Sequence, residues 1–296
     1  MTQTDLRSRV MNLLQRRVGD ELEGEVFQRD PTFIREHLPT IGRAIGRYFA
    51  PEVRGVDRLP SDAPFLLVSN HSGGWLMPDA WALWNELLTR FGADREFYGL
   101  MLDFAFVVPV FGDSLRRFGA IPASMANAER ALASGAGVMV FPGGAWEVYR
   151  PWTERNRIDF HGHQGFVRLA LSHGVPVFPV VSHGSHHSLI VISRGDRIGH
   201  LLGIDRLRVN AFPFAVGFPF GVTSAFMPNV PIPAKIIVEV LEPISWSEYS
   251  PGDADDPDVV RRCYEQVTDG MQAALDRLAR EMPRPLRSRL LTALGR

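Results

Sequence analysis

Short apolar runs alternate along the middle of the chain with longer segments in which apolar residues recur every three or four positions. The runs Phe65–Ser69, Gly137–Phe141 and Pro176–Val181 are almost entirely apolar, which is typical of parallel strands buried on both faces. A further strand is predicted at Ile236–Leu241. This alternation predicts an α/β fold with a mostly parallel sheet flanked by helices.

Amphipathic helices are predicted between and after these strands. Ala80–Phe91 and Gly165–His173 have helical spacing, and each is followed by a glycine suited to ending a helix. Val259–Glu281 predicts a long amphipathic helix near the C-terminus. Several aspartates precede it, and they favour a helix N-terminus because they complement its dipole.

Both ends of the chain carry basic amphipathic segments. Phe33–Phe49 has apolar residues at helical spacing against arginines, a pattern that suits a membrane interface and equally suits packing on a core. Arg284–Arg296 is a second segment of this kind. We therefore predict an N-terminal amphipathic helical segment at 1–50, an α/β domain at 51–250 and a C-terminal helical segment at 251–296.

Composition narrows the possible functions. The chain has 296 residues, of which 45% are hydrophobic and 22% charged, so it can bury a large core. Its net charge of -1 lacks the basic excess that binding to nucleic-acid phosphates requires, so no nucleic-acid partner is expected. The single cysteine, Cys263, excludes an internal disulfide and a cysteine-based zinc site.

The first group of chemically useful residues directly follows the strand at Phe65–Ser69. It runs Asn70-His-Ser-Gly-Gly-Trp-Leu-Met-Pro-Asp79, which puts His71 at the carboxyl edge of the sheet, where α/β proteins form their sites. A carboxylate that holds one imidazole nitrogen leaves the other to accept a proton from a hydroxyl. His71 and Asp79 therefore form a candidate general-base pair, although such a pair can also be structural.

The second group follows the strand at Gly137–Phe141 and contains Gly143, Gly144, Glu147 and Arg150. Backbone N–H groups in a Pro-Gly-Gly turn have no side chains in front of them, which suits an oxyanion or a phosphate. A tight turn without any such role would have the same sequence. Glu147 and Arg150 bring opposite charges to the site, or pair with each other.

Together the two groups resemble the motifs of the glycerolipid (lysophospholipid) acyltransferase superfamily. In that family a strand is followed by Asn-His, four residues and Asp, and later come Phe-Pro-Glu-Gly and a strand rich in Val and Pro. The counterparts here are Asn70-His71 with Asp79, then Phe141-Pro-Gly-Gly144, then Val175-Pro-Val-Phe-Pro-Val180. The resemblance spans roughly residues 53 to 245 and marks 51–250 as an acyltransferase domain.

The chain departs from the family pattern in three places. Seven residues rather than four separate His71 from Asp79, so the loop must bulge if the two side chains are to meet. Gly143 replaces the glutamate of the third motif, as in the branch resembling type-2 diacylglycerol acyltransferases, where Pro-Gly-Gly-Ala is followed by a glutamate. Gly119–Ser124 aligns with the second motif but lacks its arginine. A phosphate-bearing acceptor is therefore not indicated, but it stays open because other arginines could substitute: Arg116, Arg117, Arg150, Arg155 and Arg157.

The resemblance implies transfer of a fatty acyl group from acyl-CoA, or from an acyl carrier protein, to the hydroxyl of a glycerolipid or lysophospholipid. His71 is the implied general base and Asp79 the group that orients it. No cofactor and no metal are expected, and the expected partners are a lipid acceptor, the thioester donor and a membrane surface. The residues assigned to substrate binding are Asn70, Gly143, Gly144, Glu147 and Arg150.

The start of the chain shows no secretory signal, so we expect the protein at the cytoplasmic face of the membrane, peripheral or monotopic. The 26 residues from Val209 to Ala234 carry no charge, as a membrane span would, but five prolines break any regular helix there. We interpret the segment as an apolar loop that enters one leaflet or lines a pocket for an acyl chain. A buried core segment is the alternative.

Two other functions are compatible with the sequence. His183, His186 and His187 follow a predicted strand, and imidazoles so grouped could bind zinc in a metal-dependent hydrolase, although no carboxylate accompanies them. The apolar segment would also suit a non-catalytic lipid carrier. A carrier has no need of a histidine–aspartate pair beside a Pro-Gly-Gly turn, and it would form no acylated product.

Overall fold

A computed structural model of the chain describes residues 26–107, 110–202, 212–217, 219–225 and 229–294. Short 3₁₀ turns connect several of its elements. In chain order the helices and strands are α1 (Pro31–Phe49), β1 (Glu52–Arg54), β2 (Phe65–Ser69), α2 (Pro78–Phe91), β3 (Phe97–Met101), α3 (Phe111–Arg117), β4 (Ala120–Pro122), α4 (Met125–Ala133), β5 (Gly137–Val140), α5 (Gly144–Val148), α6 (Gly165–His173), β6 (Val177–His183), β7 (Ile190–Ser193), α7 (Asp196–Leu202), β8 (Phe214–Gly217), β9 (Gly221–Ser224), β10 (Ile237–Val240), α8 (Pro257–Glu281) and α9 (Pro285–Ala293).

Seven strands form the main sheet, in the order β1-β10-β6-β2-β5-β3-β4. Neighbouring strands run parallel except for β10 and β6, which are antiparallel. All five residues of the central strand β2 are buried, as its apolar sequence predicts. The predicted mostly parallel sheet flanked by helices is therefore confirmed.

The hydrophobic core lies on both faces of this sheet because side chains along a strand alternate in direction. Leu66 and Val68 of β2 pack with residues of α4, α6 and α8. Phe65 and Leu67 pack on the opposite face with residues of α1 and α2. Helices therefore cover the sheet on both sides, and the strand ends at the carboxyl edge are left to form loops.

Both terminal helices belong to this core. Helix α1 begins after Asp30, whose side chain accepts a hydrogen bond from the N–H of Phe33, and it buries Ile34 and Phe49. The sequence left two interpretations of this basic amphipathic helix, and the structure shows its apolar face packed on the core. Helix α8 is capped by Asp256 and packs on the other face. The predicted division of the chain at residues 50 and 250 stays a prediction.

The uncharged segment forms two short strands within its described part. Phe214–Gly217 and Gly221–Ser224 pair as a hairpin, and β7 adds a third antiparallel strand. The prediction of a loop is wrong there, because the prolines flank the hairpin strands rather than interrupting them. Residues 209–211, 218 and 226–228 of the segment lie outside the described residues. Within the described ranges, no helix is long and apolar enough to cross a membrane.

Candidate active site

Asn70 fixes the end of β2 against β6. Its side-chain amide donates a hydrogen bond to the carbonyl of Ser182 at 3.0 Å and accepts one from the Ser182 N–H at 2.7 Å. The side chain is buried, and it lines neither of the two cavities at this edge of the sheet. The assignment of Asn70 to substrate binding stays a prediction, and the observed geometry gives it a structural task.

The loop after Asn70 bulges as its length requires. Gly73 (φ 92°) and Gly74 (φ 67°) adopt left-handed conformations that glycine reaches without strain, and Met77 (φ 39°) adopts one as well. These residues turn the chain back so that helix α2 begins beside His71. Asp79 lies in the first turn of that helix and is buried.

His71 and Asp79 are in contact despite the longer spacing. Nδ1 of His71 lies 3.3 Å from Oδ1 and 3.4 Å from Oδ2 of the Asp79 carboxylate. The carboxylate also accepts hydrogen bonds from the backbone N–H groups of Ser72 and Ala80, at 3.0 and 2.8 Å, which fix its orientation. With Nδ1 held in this way, Nε2 of His71 is the nitrogen that remains to accept a proton.

The Pro-Gly-Gly turn lies next to the His71 ring, whose centroid is 4.3 Å from that of Phe141. Gly144 (φ 46°) adopts a left-handed conformation that glycine reaches without strain. Its N–H donates to the carbonyl of Phe141 at 3.0 Å, so this N–H is used within the turn. The N–H groups of Gly143 and Ala145 make no hydrogen bond to another described residue. These two N–H groups are therefore the ones available to an oxyanion.

A first cavity of about 530 Å³ opens onto Ala145, whereas Gly143 does not line it. His71, Phe141 and Gly144 form part of its wall, and the rest is almost wholly apolar. An apolar cavity of this size with few polar groups is typical of a binding site for an apolar ligand. The side chains that line the remainder include Trp81, Trp84, Leu100, Leu102, Phe111, Leu115 and Phe118.

A second cavity of about 780 Å³ adjoins the first, and Phe141, Gly144 and Ala145 are among the residues that line both. Its wall is more polar and includes Gly143. Sequence reasoning missed most of its polar residues, because they come from segments distant from both motifs. These are His161, His163, Arg194 and Asp196.

Trp146 organises this second cavity. The ring of His161 stacks on its indole at a centroid distance of 3.9 Å, and the guanidinium of Arg194 lies 3.4 Å from the indole centroid. Arg194 also donates to the Trp146 carbonyl at 3.0 Å, and Nδ1 of His163 lies 2.8 Å from the Pro142 carbonyl oxygen. The polar wall is thus attached directly to the Pro-Gly-Gly turn.

Glu147 and Arg150 lie behind the turn and are buried, with 1% and 2% of their surface exposed. They line neither cavity, and Nη2 of Arg150 is 3.5 Å from Oε1 of Glu147. Burial raises the pKa of Glu147 to about 8, against the opposing effects of Arg150 and of the N–H groups of His71 and Asp159. Their assignment to substrate binding stays a prediction, but the structure pairs them with each other.

The histidine cluster is buried and lacks the geometry of a metal site. His183 contacts the carbonyl of Met282 at 3.0 Å, and its ring centroid is 6.4 Å from that of His187. Burial lowers the pKa of His186 to about 3 and that of His187 to about 4. In the part of the chain that the structure describes, no three histidine, cysteine, aspartate or glutamate side chains could hold a metal ion together.

Comparison with known proteins places the same residues in one family. The family model described as Acyltransferase matches residues 50–183. An uncharacterised protein of Mycobacterium leprae is 31% identical over 268 residues, covering 90% of this chain and 70% of that protein. Human 2-acylglycerol O-acyltransferase 3 is 29% identical over 154 residues, covering 49% and 44% of the two chains. Diacylglycerol O-acyltransferase 2 of Dictyostelium discoideum is 28% identical over 184 residues, covering 60% and 54%. His71, Asp79 and the Pro-Gly-Gly turn all lie within the matched residues.

Proposed function

The chain belongs to the acyltransferase family, and we propose that it transfers a fatty acyl group from a thioester to the hydroxyl of a glycerolipid, with His71 as the general base. One observation carries the proposal: the His71–Asp79 pair and the Pro-Gly-Gly turn meet at a cavity whose remaining wall is almost wholly apolar. That wall suits the acyl chain, and the polar groups suit the reacting atoms.

The proposed reaction is direct transfer. Asp79 holds the imidazole through Nδ1, and Nε2 takes the proton of the acceptor hydroxyl as its oxygen attacks the thioester carbonyl. The N–H groups of Gly143 and Ala145 stabilise the negative charge on the carbonyl oxygen. The C–S bond then breaks, and the thiolate leaves with the proton held by His71. The products are an oxygen ester and a free thiol.

A neutral glycerolipid is the acceptor class we propose, with acyl-CoA as the donor. The human and Dictyostelium relatives are named for acylation of acylglycerols, and the Gly119–Ser124 segment has no arginine to bind a phosphate. The acyl chain would fill the first cavity and the polar part of the thioester the second, since both cavities share the wall of the turn. A lysophospholipid acceptor and an acyl carrier protein donor are the competing substrates to test.

We further propose that the protein works at the cytoplasmic face of a membrane without spanning it. Exposed apolar side chains flank the site: Leu76 and Val110 adjoin residues that line the first cavity. Val216 and Val222 pair across β8 and β9, and both are exposed, Val222 by 69%. Exposed apolar patches of this kind are typical of surfaces that bind lipid or protein.

The test is acyl transfer by the purified protein from radiolabelled acyl-CoA to a panel of acceptors: a monoacylglycerol, a diacylglycerol, a lysophospholipid and a fatty alcohol. We expect a labelled acylglycerol, formed equally well in the presence of a chelator. Replacement of His71 by alanine should lower kcat by ~10²–10⁴ because it removes the general base. The matched control is His173→Ala, which alters an exposed histidine at the end of α6.

The outcomes separate the rival functions. A lipid carrier would bind label without forming an acylated product, and a metal-dependent hydrolase would release fatty acid and lose activity with the chelator. Wild-type turnover in His71→Ala would refute the assignment of the general base.

A further inference from the structure

Gly143 is a glycine whose backbone does not require one. Its φ of -70° and ψ of -21° lie in the right-handed helical region that any residue adopts. The obstacle to a side chain is Glu147: a Cβ built on Gly143 would lie 2.2 Å from Cγ of Glu147 and 2.6 Å from its Cδ and Oε2. A side chain at position 143 would therefore need the space that the Glu147 side chain already occupies.

This space adjoins the loop that carries His71. The backbone N–H groups of His71 and Asp159 lie near the Glu147 carboxyl and lower its pKa against the larger effect of burial, but neither makes a regular hydrogen bond to it. Oε2 of Glu147 nevertheless has no hydrogen-bond partner among the described residues, and it is fully buried. Oε1 lies 3.5 Å from the Arg150 guanidinium, which in turn donates to the Asp159 carbonyl at 2.9 Å. A buried polar atom next to a functional loop is costly and suggests that its position is used.

We propose that Glu147 is the positioning residue for the His71 loop, and that its carboxyl occupies the place that a longer side chain at position 143 would take. Gly143 stands where the related third motif has a glutamate, so the acidic group reaches this place from one helical turn further along the chain. Glu147 then links the end of β5 to the end of β2 and fixes the backbone of His71 relative to the turn. This inference rests on the proposed function of His71.

The shared space can be tested without an activity assay. Gly143→Ala should lower the thermal midpoint by roughly 3–10 °C in the wild type because it overpacks the site. The same substitution should have little effect in a Glu147→Ala background, where the space is empty. Gly165→Ala is the matched control, since its Cβ would meet Met125 at an ordinary 3.6 Å. If Gly143→Ala lowered the thermal midpoint equally in both backgrounds, the side chains at positions 143 and 147 would not compete for the same space.

The positioning role is tested by side chains of similar size. Glu147→Gln keeps a polar group facing the His71 N–H and should retain most of kcat, whereas Glu147→Met should lose ~10–100-fold in kcat with KM nearly unchanged. The double variant Gly143→Glu with Glu147→Gly should recover much of the activity that Glu147→Gly alone loses. Wild-type kcat in Glu147→Met, or no recovery of activity in the double variant, would show that Glu147 only fills space and does not position His71.

A readout independent of turnover separates this proposal from the proposed function. Amide hydrogen exchange in the peptide that contains His71, measured by mass spectrometry, should be several-fold faster in Glu147→Met and unchanged in Glu147→Gln. An inactive wild-type protein with this exchange pattern would refute the acyl-transfer proposal and leave the positioning contact standing. Unchanged exchange in Glu147→Met would refute the contact whatever the activity.

Discussion

Asp79 reaches His71 although seven residues separate them, and the reason lies in individual backbone conformations. Gly73 and Gly74 are visible in the sequence as residues able to turn left-handed, so a bulge could be predicted. Met77 could not be predicted in such a conformation, because residues with a Cβ rarely adopt it. The contact therefore depends on the packing around the loop as well as on its own sequence.

The contact predicts a strong effect of Asp79→Asn. Because the carboxylate holds Nδ1 of His71 and the N–H groups of Ser72 and Ala80, the amide should disturb both the tautomer and the orientation of the imidazole. We expect kcat to fall by roughly 10²–10⁴ with a small change in KM. Steady-state kinetics measure this, with the exposed Asp62→Asn as control. A loss of less than about threefold would show that Asp79 is only a helix-capping residue.

Burial of charged residues was the main feature that the sequence did not reveal. Glu147 and Arg150 stand next to a functional turn, and charged side chains are usually exposed, which favoured a role in binding substrate. Glu147 lies in the short helix α5 and Arg150 lies two residues beyond its end, so the two side chains are neighbours instead, and the core covers both. Asn70 likewise uses its amide on the backbone of Ser182.

At the scale of elements, part of the wall of the apolar cavity comes from β3 and α3, which the sequence analysis did not predict. β3 carries Gly99 within the run Phe97–Met101, and α3 is only Phe111–Arg117, so neither has a clear periodic pattern. The strands β2, β5 and β6 were predicted because they are wholly apolar. The edge of the sheet that carries the candidate site was therefore predictable, while the shape of the cavity was not.

Narrowing the cavity should change the preferred acyl chain. A Cβ on Gly99 would touch the Trp84 ring at 3.7 Å, an ordinary contact, so Gly99→Leu should place its side chain in the cavity without unfolding β3. We expect kcat/KM for long acyl-CoAs to fall by at least ~10-fold relative to short ones, as loss of apolar burial predicts. Gly46→Leu, on an open face of α1, is the control. An unchanged chain-length profile would place the acyl chain elsewhere.

The three-stranded sheet predicts where the protein meets lipid. Val216→Glu combined with Val222→Glu adds two charges to an exposed face, so the fold should persist while binding to phospholipid vesicles weakens several-fold. Flotation with vesicles measures the bound fraction. Gly270→Glu combined with Ala273→Glu, at exposed positions of α8, is the control that adds the same two negative charges. If both double variants bound vesicles equally well, the three-stranded sheet would not be part of the membrane-binding surface.

At the scale of the whole molecule, buried histidines connect stability to pH. His186 faces Arg150, His71, His183 and His187, all of which disfavour its protonation, and burial is the largest cause of its low pKa. The unfolded chain therefore binds more protons than the folded one between the folded pKa of about 3 and the ordinary value of 6.5. The contribution of His186 to the free energy of unfolding is therefore fully present above pH 6.5 and is lost as the pH falls from 6.5 towards about 3.

His186→Gln should weaken this acid sensitivity. Each such imidazole contributes up to ~1.4 kcal/mol per pH unit to the slope of the unfolding free energy. Glu147 acts in the opposite direction, because its raised pKa makes the fold take up a proton between 4.5 and about 8. Urea denaturation at pH 5 and pH 7 should show a smaller difference for His186→Gln than for the wild type. If the difference in unfolding free energy between pH 5 and pH 7 were equal or larger in His186→Gln, protonation of His186 would not be the cause of the acid sensitivity.

The sheet order also explains which features of the whole fold escaped prediction. The parallel strands follow from alternating apolar runs and helices, but β10 lies between β1 and β6, parallel to β1 and antiparallel to β6, and no local pattern reveals such an insertion. Its neighbours are more than 50 residues away in sequence, so its place is set by long-range packing. The same holds for helix α8, which covers a face of the sheet formed by much earlier residues.

The pairing of β1 has a practical consequence for anyone trimming this chain to a minimal fragment. Its hydrogen-bonding neighbour among the described strands is β10, which lies beyond the 50–183 stretch shared with the family. A fragment that ends at those borders would lack β10 and α8. It would therefore expose one edge of β6 and the apolar face of the sheet that α8 covers. Because an exposed strand edge can pair with other chains, this fragment is expected to aggregate rather than to fold as a smaller domain.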